Sequence, residues 1–311
     1  MKNEAVALGA GTLNRAAHLR TKTETLAADT SARWLPLWRG RVPVSEHGDL
    51  QFGSAPPEIA DDSIFLGLLP DGAPVLAHDV SALEPLGDEA EALSSWSTAA
   101  VHCDGLPDHA FHDLRAVMTT LSPLEAEIAA TARGLLEWHR NHGFCARCGA
   151  QSQMSEGGWR RDCGACGGQH FPRTDPVVIM LVTHGNDVLV GRNAEWPTGF
   201  FSILAGFVEP GEPLEAAVRR EVFEEAGVRV GEVEYVASQP WPFPASLMLG
   251  FRAKALTREI IIDPTEIEEA RWVSREEMMQ IFAGEHPEVS APRKGALAHF
   301  LMRKWLEDHR A

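Results

Sequence analysis

Gly206-Phe-Val-Glu-Pro-Gly211-Glu212-Pro-Leu-Glu-Ala-Ala-Val-Arg-Arg220-Glu221-Val-Phe-Glu224-Glu225-Ala-Gly227-Val228 reads as a glycine-bearing loop followed by a helix. On a helix of roughly 3.6 residues per turn, Glu221, Glu224 and Glu225 fall within about 100° of arc, so three carboxylates share one face. Like charges held that close repel. The face is stable only with something positive among them, and hard oxygen ligands select Mg²⁺ or Mn²⁺. Leu214, Val218 and Val222 form the neighbouring apolar stripe that packs the helix on a sheet, and Gly227 stands where a C-cap is expected. Pro210-Gly211 turns the loop, and Gly206 permits close backbone approach, where a ligand or metal can meet a main-chain carbonyl. A solvated acidic face is the ordinary explanation of a charge run. Here Arg220 and the flanking glycines fill too many specified positions for it.

Working outward, residues 177–182 form a continuous apolar run of the kind buried on both faces of a sheet, and residues 187–191 pair with it across His184-Gly185-Asn186. Residues 200–230 run strand, glycine-rich loop, helix, strand. Further strands are expected at 235–238 and 247–253, a short helix at 275–282 and a closing helix at 295–309. Upstream, Ser122 as N-cap, Pro123 at the first helical position and Glu125 completing a capping box start a helix. Its apolar stripe is Leu124, Ile128, Ala132, Leu135 and Leu136, Gly143 ends it, and it is expected to connect two domains. Residues 63–77 read as two short strands around a Pro-Asp-Gly turn, with loops at 56–57 and 85–90.

A chain of 311 residues exceeds one ordinary domain, which favours two units or two plus a small module. Forty-four acidic against twenty-eight basic residues leave a formal charge of −16, which argues against electrostatic capture of long nucleic acids. A small anionic ligand must therefore come with cations. Residues 1–30 lack the apolar block of a signal peptide, and the longest apolar run is too short to span a bilayer. A soluble, cytoplasmic protein without a membrane partner is expected.

Of five cysteines, Cys103 stands alone and reads as an ordinary buried thiol. The others form Cys145-Ala-Arg-Cys148-Gly and Cys163-Gly-Ala-Cys166-Gly, the paired spacing of a structural zinc ribbon whose four sulfurs close a tetrahedron. Two redox-active dithiols are the competing explanation. His139 and His142 lie just upstream and are read as helix-end residues. A further stretch, Ser238-Gln239-Pro240-Trp241-Pro242-Phe243-Pro244-Ala245-Ser246-Leu247-Met248, is stiffened by three prolines that hold Trp241 and Phe243 at low entropic cost. Packing on a ring-bearing ligand and a structural turn with core aromatics explain it equally well.

The first segment resembles the Nudix box, G-x5-E-x7-R-E-U-x-E-E-x-G-U with U aliphatic, and matches at Gly206, Glu212, Arg220, Glu221, Val222, Glu224, Glu225, Gly227 and Val228. The resemblance implies an α+β Nudix fold, a mixed sheet between helices, that hydrolyses a nucleoside diphosphate linked to another group. The S-Q-P-W-P-F-P-x-S stretch together with the ribbon is similar to the NADH pyrophosphatases, also known as NAD-cap RNA hydrolases of the NudC type. That similarity implies an N-terminal mixed α/β domain with its connecting helix over 1–140, a zinc ribbon over 141–172 and the Nudix domain over 173–311. It implies a homodimer that releases AMP and nicotinamide mononucleotide from NADH or NAD⁺, with NAD-capped RNA as a further substrate.

By the same resemblance Glu221, Glu224, Glu225, Glu266 and the Ala205 carbonyl hold Mg²⁺ or Mn²⁺. One of the three helical glutamates acts as base, with the choice left open, and Glu269 stands as an alternative to Glu266. Gln239, Pro240, Trp241, Pro242, Phe243, Pro244, Ala245 and Ser246 line the substrate pocket. Phe171 and Phe207 stack on the nicotinamide from opposite subunits, Arg115 contacts phosphate, and Ala298 is a further candidate. The competing expectations are a Nudix hydrolase of ADP-ribose, dinucleoside polyphosphates or coenzyme A, and a non-catalytic zinc-ribbon and Nudix binding module.

Overall fold

The computed structural model describes residues 6–53, 63–87 and 97–308. The loop expected at 56–57, part of that at 85–90 and the last residue of the closing helix lie outside them. The chain divides into two units, Ala7–Thr174 with Trp241–Ala245, and Met1–Val6 with Asp175–Pro240 and Ser246–Ala311.

In the first unit a short helix α1 (Thr23–Ala27) precedes strands β1 (Arg33–Leu37), β2 (Val42–Pro43), β3 (Ile64–Leu68), β4 (Pro74–Asp79), β5 (Val101–Cys103) and β6 (Leu106–His112). They make two three-stranded sheets, β1-β4-β3 and β2-β6-β5. The hairpin expected at 63–77 is β3 paired antiparallel with β4, and β1 adds to it in parallel. Helices α2 (Leu114–Val117) and α3 (Pro123–Asn141) follow. The capping box forms as expected, with Ser122 Oγ accepting from the Glu125 N–H and Glu125 Oε2 accepting from the Ser122 N–H.

The buried face of α3 differs from the expected stripe. Ala126, Glu127, Ala129, Ala130 and Trp138 are buried with Ile128, Ala132 and Leu135, whereas Leu124 and Leu136 are only half-buried. The helix packs on β3 and β4, and its alanines allow a closer approach than a leucine stripe would. It is thus a core helix of this unit, and it ends at Asn141 rather than Gly143. Glu127, 4% exposed, is tolerated there because its carboxylate accepts the N–H groups of Thr12 and Leu13 at 2.7 and 3.0 Å. The unit closes with a small sheet of β7 (Gln153–Ser155), β8 (Arg160–Asp162) and β9 (Gln169–His170).

The second unit is built on β10 (Asp175–His184), β11 (Asp187–Arg192), β12 (Ala205–Phe207), α4 (Leu214–Ala226), β13 (Val230–Trp241), β14 (Ser246–Ala255), β15 (Glu269–Ser274), α5 (Arg275–Ala283) and α6 (Leu297–Glu307). Its sheet order is β13-β14-β10-β11-β15, with β12 paired to β10. β10 runs parallel to β14 and antiparallel to β11 and β12, so the sheet is mixed.

Because side chains alternate along a strand, β10 serves two cores. Val178, Met180 and Val182 pack with Ala217, Val218 and Val222 of α4, while Ile179 and Leu181 pack with Met278 and Ile281 of α5 and Leu301 and Trp305 of α6. That explains the unbroken apolar run. Strand β15 has no counterpart in the sequence reading; it pairs antiparallel with β11. Pro240, read as loop, lies within β13, a terminal strand of the sheet, the kind of strand in which proline is tolerated.

Candidate functional site

β12 and α4 carry the acidic cluster. On the β10–β12 ladder the Met180 N–H donates to the Leu204 carbonyl at 3.1 Å and the Val208 N–H to the Pro176 carbonyl at 3.0 Å. Hydrogen-bonding positions on this edge are therefore the even-numbered ones, and the Ala205 carbonyl points away from β10. Beside it, the Glu221 carboxylate fills the space that a side chain on Gly206 would take. Gly227 caps α4 in the left-handed conformation at φ +67°, as its position suggested.

Arg220 organises the loop and the helix together. Its guanidinium donates to Glu212 Oε1 and Oε2 at 2.5 and 3.1 Å, to Glu221 Oε1 at 2.8 Å, to Glu224 Oε2 at 2.9 Å and to the Phe207 carbonyl at 2.9 Å. Glu212 also accepts the Glu209 N–H at 2.8 Å. The Arg220 bonds, with that amide, hold the Glu212 carboxyl well below the usual carboxylate range, and the same carboxylates raise Arg220. The arginine thus neutralises one flank of the cluster and fixes Glu221 and Glu224 in place.

The other flank is left negative. Burial, with further contributions from Glu224 and Glu266, pushes Glu221 up, against the pull of Arg220. Glu225 is pushed up to about 8, first by burial and then by Glu221, Glu266 and Glu224. Its Oε2 is buried without a hydrogen-bond partner. A buried, unpartnered carboxylate oxygen among three further carboxylates is the donor set that a hard divalent cation satisfies. The charge of Glu266 acts on both Glu221 and Glu225, and Glu269 stands opposite Arg192 on the β11–β15 ladder.

In the first unit the four cysteine sulfurs lie within 4.8 Å of one another, with Cys145–Cys166 at 3.6 Å and Cys148–Cys163 at 3.5 Å. A tetrahedral ion with Zn–S bonds of about 2.3 Å requires sulfurs about 3.8 Å apart, so the quartet fits zinc. The Gly149 and Gly167 N–H groups close matching turns onto the Cys145 and Cys163 carbonyls at 2.9 Å, both glycines at positive φ. Against the upward push of burial, the Arg147 amide and His170 hold the Cys145 thiol down to about 5, whereas against the pull of the Ala150 amide the Cys166 and Cys163 sulfurs push the Cys148 thiol up to about 12, as expected of thiols crowded around an ion site. His170 Nε2 lies 3.2 Å from Cys145 Sγ, a neighbour that the spacing of the cysteines did not reveal. His139 and His142 are engaged elsewhere, at the Gly158 and Trp138 carbonyls.

The proline-rich stretch has two anchorages. Gln239, 1% exposed, donates to the Gly295 carbonyl and accepts the Leu297 N–H, both at 2.8 Å, and so ties the end of β13 to the start of α6. The turn Trp241–Ala245 belongs to the first unit. There Arg133 of α3 donates to the Pro242 carbonyl at 2.8 Å and also to the Gly40 carbonyl, and its guanidinium lies 4.6 Å from the centre of the Phe243 ring. Arg115 lies 4.7 Å from the same ring and is held by both carboxylate oxygens of the buried Asp113, at 2.9 and 2.6 Å. Trp241 meets Phe243 edge-on at 4.9 Å.

Asp113 and Arg133 escaped the sequence reading. Asp113 carries a legible signal, an N-cap aspartate that accepts the Arg115 N–H; Arg133 is one arginine on a helix and carries none. Phe171 and Phe207 are 62% and 60% exposed, each offering a ring face. Pro240 and Pro244 are exposed, Pro242 is buried, Ala245 is half-buried, and Ser246 opens β14 opposite Asp175. Ala298, in the first turn of α6, is buried in the core.

Three family models match: an NADH pyrophosphatase-like rudimentary NUDIX domain over residues 31–138, an NADH pyrophosphatase zinc ribbon domain over 140–171 and a NUDIX domain over 172–294. The chain is 36% identical over 306 residues to the NAD-capped RNA hydrolase NudC of Mycobacterium bovis, covering 94% of this chain and 92% of that protein. It is 45% identical over 206 residues to the human NAD-capped RNA hydrolase NUDT12, covering 63% of this chain. The match spans 45% of the human protein, less than half its length. A NUDIX hydrolase structure from Nitrosomonas europaea is similar over 53% of the chain at 28% identity, with a TM-score of 0.44. On the near full-length match and the three domain models, the chain belongs to the Nudix hydrolases, in the NADH pyrophosphatase family that includes NudC.

Proposed function

We propose that the protein hydrolyses the pyrophosphate of NADH or NAD⁺ to nicotinamide mononucleotide and AMP, and removes NAD caps from RNA 5′ ends. The observation that carries this reading is the buried, unpartnered Glu225 oxygen set among Glu221, Glu224 and Glu266 beside the Ala205 carbonyl. Mg²⁺ or Mn²⁺ held there would neutralise the pyrophosphate charge and activate water. Glu221, Glu224, Glu225, Glu266 and the Ala205 carbonyl would hold the ions. One of the helical glutamates, Glu221, Glu224 or Glu225, would take the proton of the attacking water.

The substrate loop, Gln239 to Ser246, would shape the pocket from a backbone fixed by Gln239 and Arg133. Phe171 and Phe207 would stack on the nicotinamide, and a phenylalanine keeps the stacking face while lacking the hydroxyl of a tyrosine. Arg115 would meet phosphate with Asp113 at its back, and Ala298 would act through the backbone at the start of α6. We assign the working form as a cytoplasmic homodimer with one structural zinc per chain, over domains 1–140, 141–172 and 173–311. Incubation of the purified protein with NADH and Mg²⁺ or Mn²⁺ should release AMP. Glu224→Gln should abolish release while leaving the thermal transition intact, and retained turnover in that variant would refute the role.

A further inference from the structure

The chain that leaves the cysteine ribbon divides its side chains between two faces. From residue 168 to 173 burial alternates strictly: Gly168, His170 and Pro172 are buried or half-buried, and Gln169, Phe171 and Arg173 are exposed. That is the period of extended backbone, in which neighbouring side chains leave on opposite sides. The inner face is the one that meets the sulfurs. A Cβ on Gly168 would lie 3.3 Å from Cys166 Sγ and 3.4 Å from Cys145 Sγ, and two residues on, His170 Nε2 lies 3.2 Å from Cys145 Sγ. On the outer face Phe171 presents its ring to solvent.

A short ladder holds this segment. Strand β9 is only Gln169 and His170, paired with Asp162 and Arg161 of β8. Phe171 has no ladder pair among the described residues, and the first unit ends three residues later at Thr174. The His170 side chain therefore provides the anchorage next to Phe171.

Chemistry assigns the direction of that contact. A zinc-bound thiolate carries no proton, so the imidazole must donate, with its hydrogen on Nε2. Four thiolates around a divalent ion leave a net double negative charge, and N–H donors aimed at sulfur spread it. The buried Cys145 sulfur has two such donors, the Arg147 N–H at 3.4 Å and His170 Nε2. Arg147 lies inside the cysteine turn itself, whereas His170 reaches in from the departing strand.

We propose that His170 is a positioning residue: by donating Nε2–H to the Cys145 thiolate it fastens β9 to the zinc site and so holds the Phe171 ring in place for the nicotinamide. The inference rests on the proposed stacking role of Phe171 and adds to it the device that fixes the ring. The ribbon then serves substrate binding as well as folding.

Three variants of the full-length protein test it. His170→Phe keeps a flat ring without the donor, His170→Gln offers an amide N–H at similar reach, and Phe171→Ala removes the stacking face. In His170→Phe the affinity for zinc, measured by competition with a chromophoric chelator, should fall about 10- to 100-fold. The sulfur-to-metal charge-transfer band of the cobalt-loaded protein should move to longer wavelength, because a thiolate that loses a hydrogen bond gives up electron density more readily. Amide exchange over residues 168–174, read by mass spectrometry, should quicken. KM for NADH should rise about tenfold with kcat within about twofold. His170→Gln should restore a large part of each. The double variant of His170→Phe with Phe171→Ala should raise KM no further than Phe171→Ala alone, since both changes act through one ring. An unmoved charge-transfer band with unaltered exchange in His170→Phe would overturn the inference, and so would KM effects that add in full. Unaltered KM in Phe171→Ala would sink the stacking role instead; a moved band and quickened exchange, which need no NADH, would still support the fastening.

Discussion

Gly206 and Glu221 compete for one space: a Cβ on residue 206 would lie 1.9 Å from Glu221 Cδ and 2.1–2.2 Å from its carboxylate oxygens. The glycine of the box is therefore required by the carboxylate of the helix. Gly206→Ala should fold, because a glutamate head can swing aside, but with Glu221 displaced from the cluster. Affinity for Mn²⁺, measured by calorimetry, should fall about 10- to 100-fold. Unaltered Mn²⁺ affinity would show that Glu221 is not held as a ligand.

Arg220 spans five acceptors, so a lysine cannot replace it. Arg220→Lys should lower kcat on NADH by about 100-fold, a loss of about 2.7 kcal/mol in transition-state stabilisation. Activity close to wild type would mean that charge alone, without the fork geometry, suffices.

Glu225 and Glu221 are both raised in the folded chain. A raised carboxyl holds a proton in the fold that the unfolded chain releases, so stability of the metal-free protein is fully present below the ordinary carboxyl range and is lost as pH rises towards about 8, the value for Glu225. The melting temperature measured in chelator should therefore decline from pH 5 to pH 8. Mg²⁺ should restore it more at pH 8 than at pH 5. Glu225→Gln should flatten the decline, and an unchanged slope in that variant would count against the assignment.

Zinc held by four sulfurs within 4.8 Å contributes directly to folding of the ribbon. Colorimetric titration of the denatured protein should find one zinc per chain. Cys163→Ser should lose it together with the native fluorescence of Trp159, whose indole N–H donates to the Phe65 carbonyl. Retention of both would exclude a structural zinc.

Arg133 holds the proline turn by a hydrogen bond and by its charge over Phe243. Arg133→Ala should raise KM for NADH about tenfold with a smaller effect on kcat, and Arg133→Lys should restore part of the loss. A pure kcat effect would place Arg133 in the chemistry instead of in positioning the loop.

The carboxylate helix, its C-cap, the capping box of α3, the β3–β4 hairpin and the four-cysteine site were all legible in the sequence. Each depends on residues close along the chain, where helical period, turn chemistry or ligand spacing operates directly. Glu266 and Ala205 are proposed as ligands through resemblance, since neither carries a local signal. Strand β15, the alanine face of α3, the burial of Gln239, and the placing of Arg115 and Arg133 against the proline turn depend on residues far apart in sequence. Local pattern is silent about such partners.

By itself the sequence determined that three carboxylates share a helix face, that four thiols form a ribbon, and that a stiff aromatic turn lies near the end of a strand, because period and spacing act over a few residues. Tertiary structure alone decided which carboxylate is stranded without a partner and which arginine supports the turn. Burial and long-range charge set proton affinity and attraction, and both exist only once distant segments have packed.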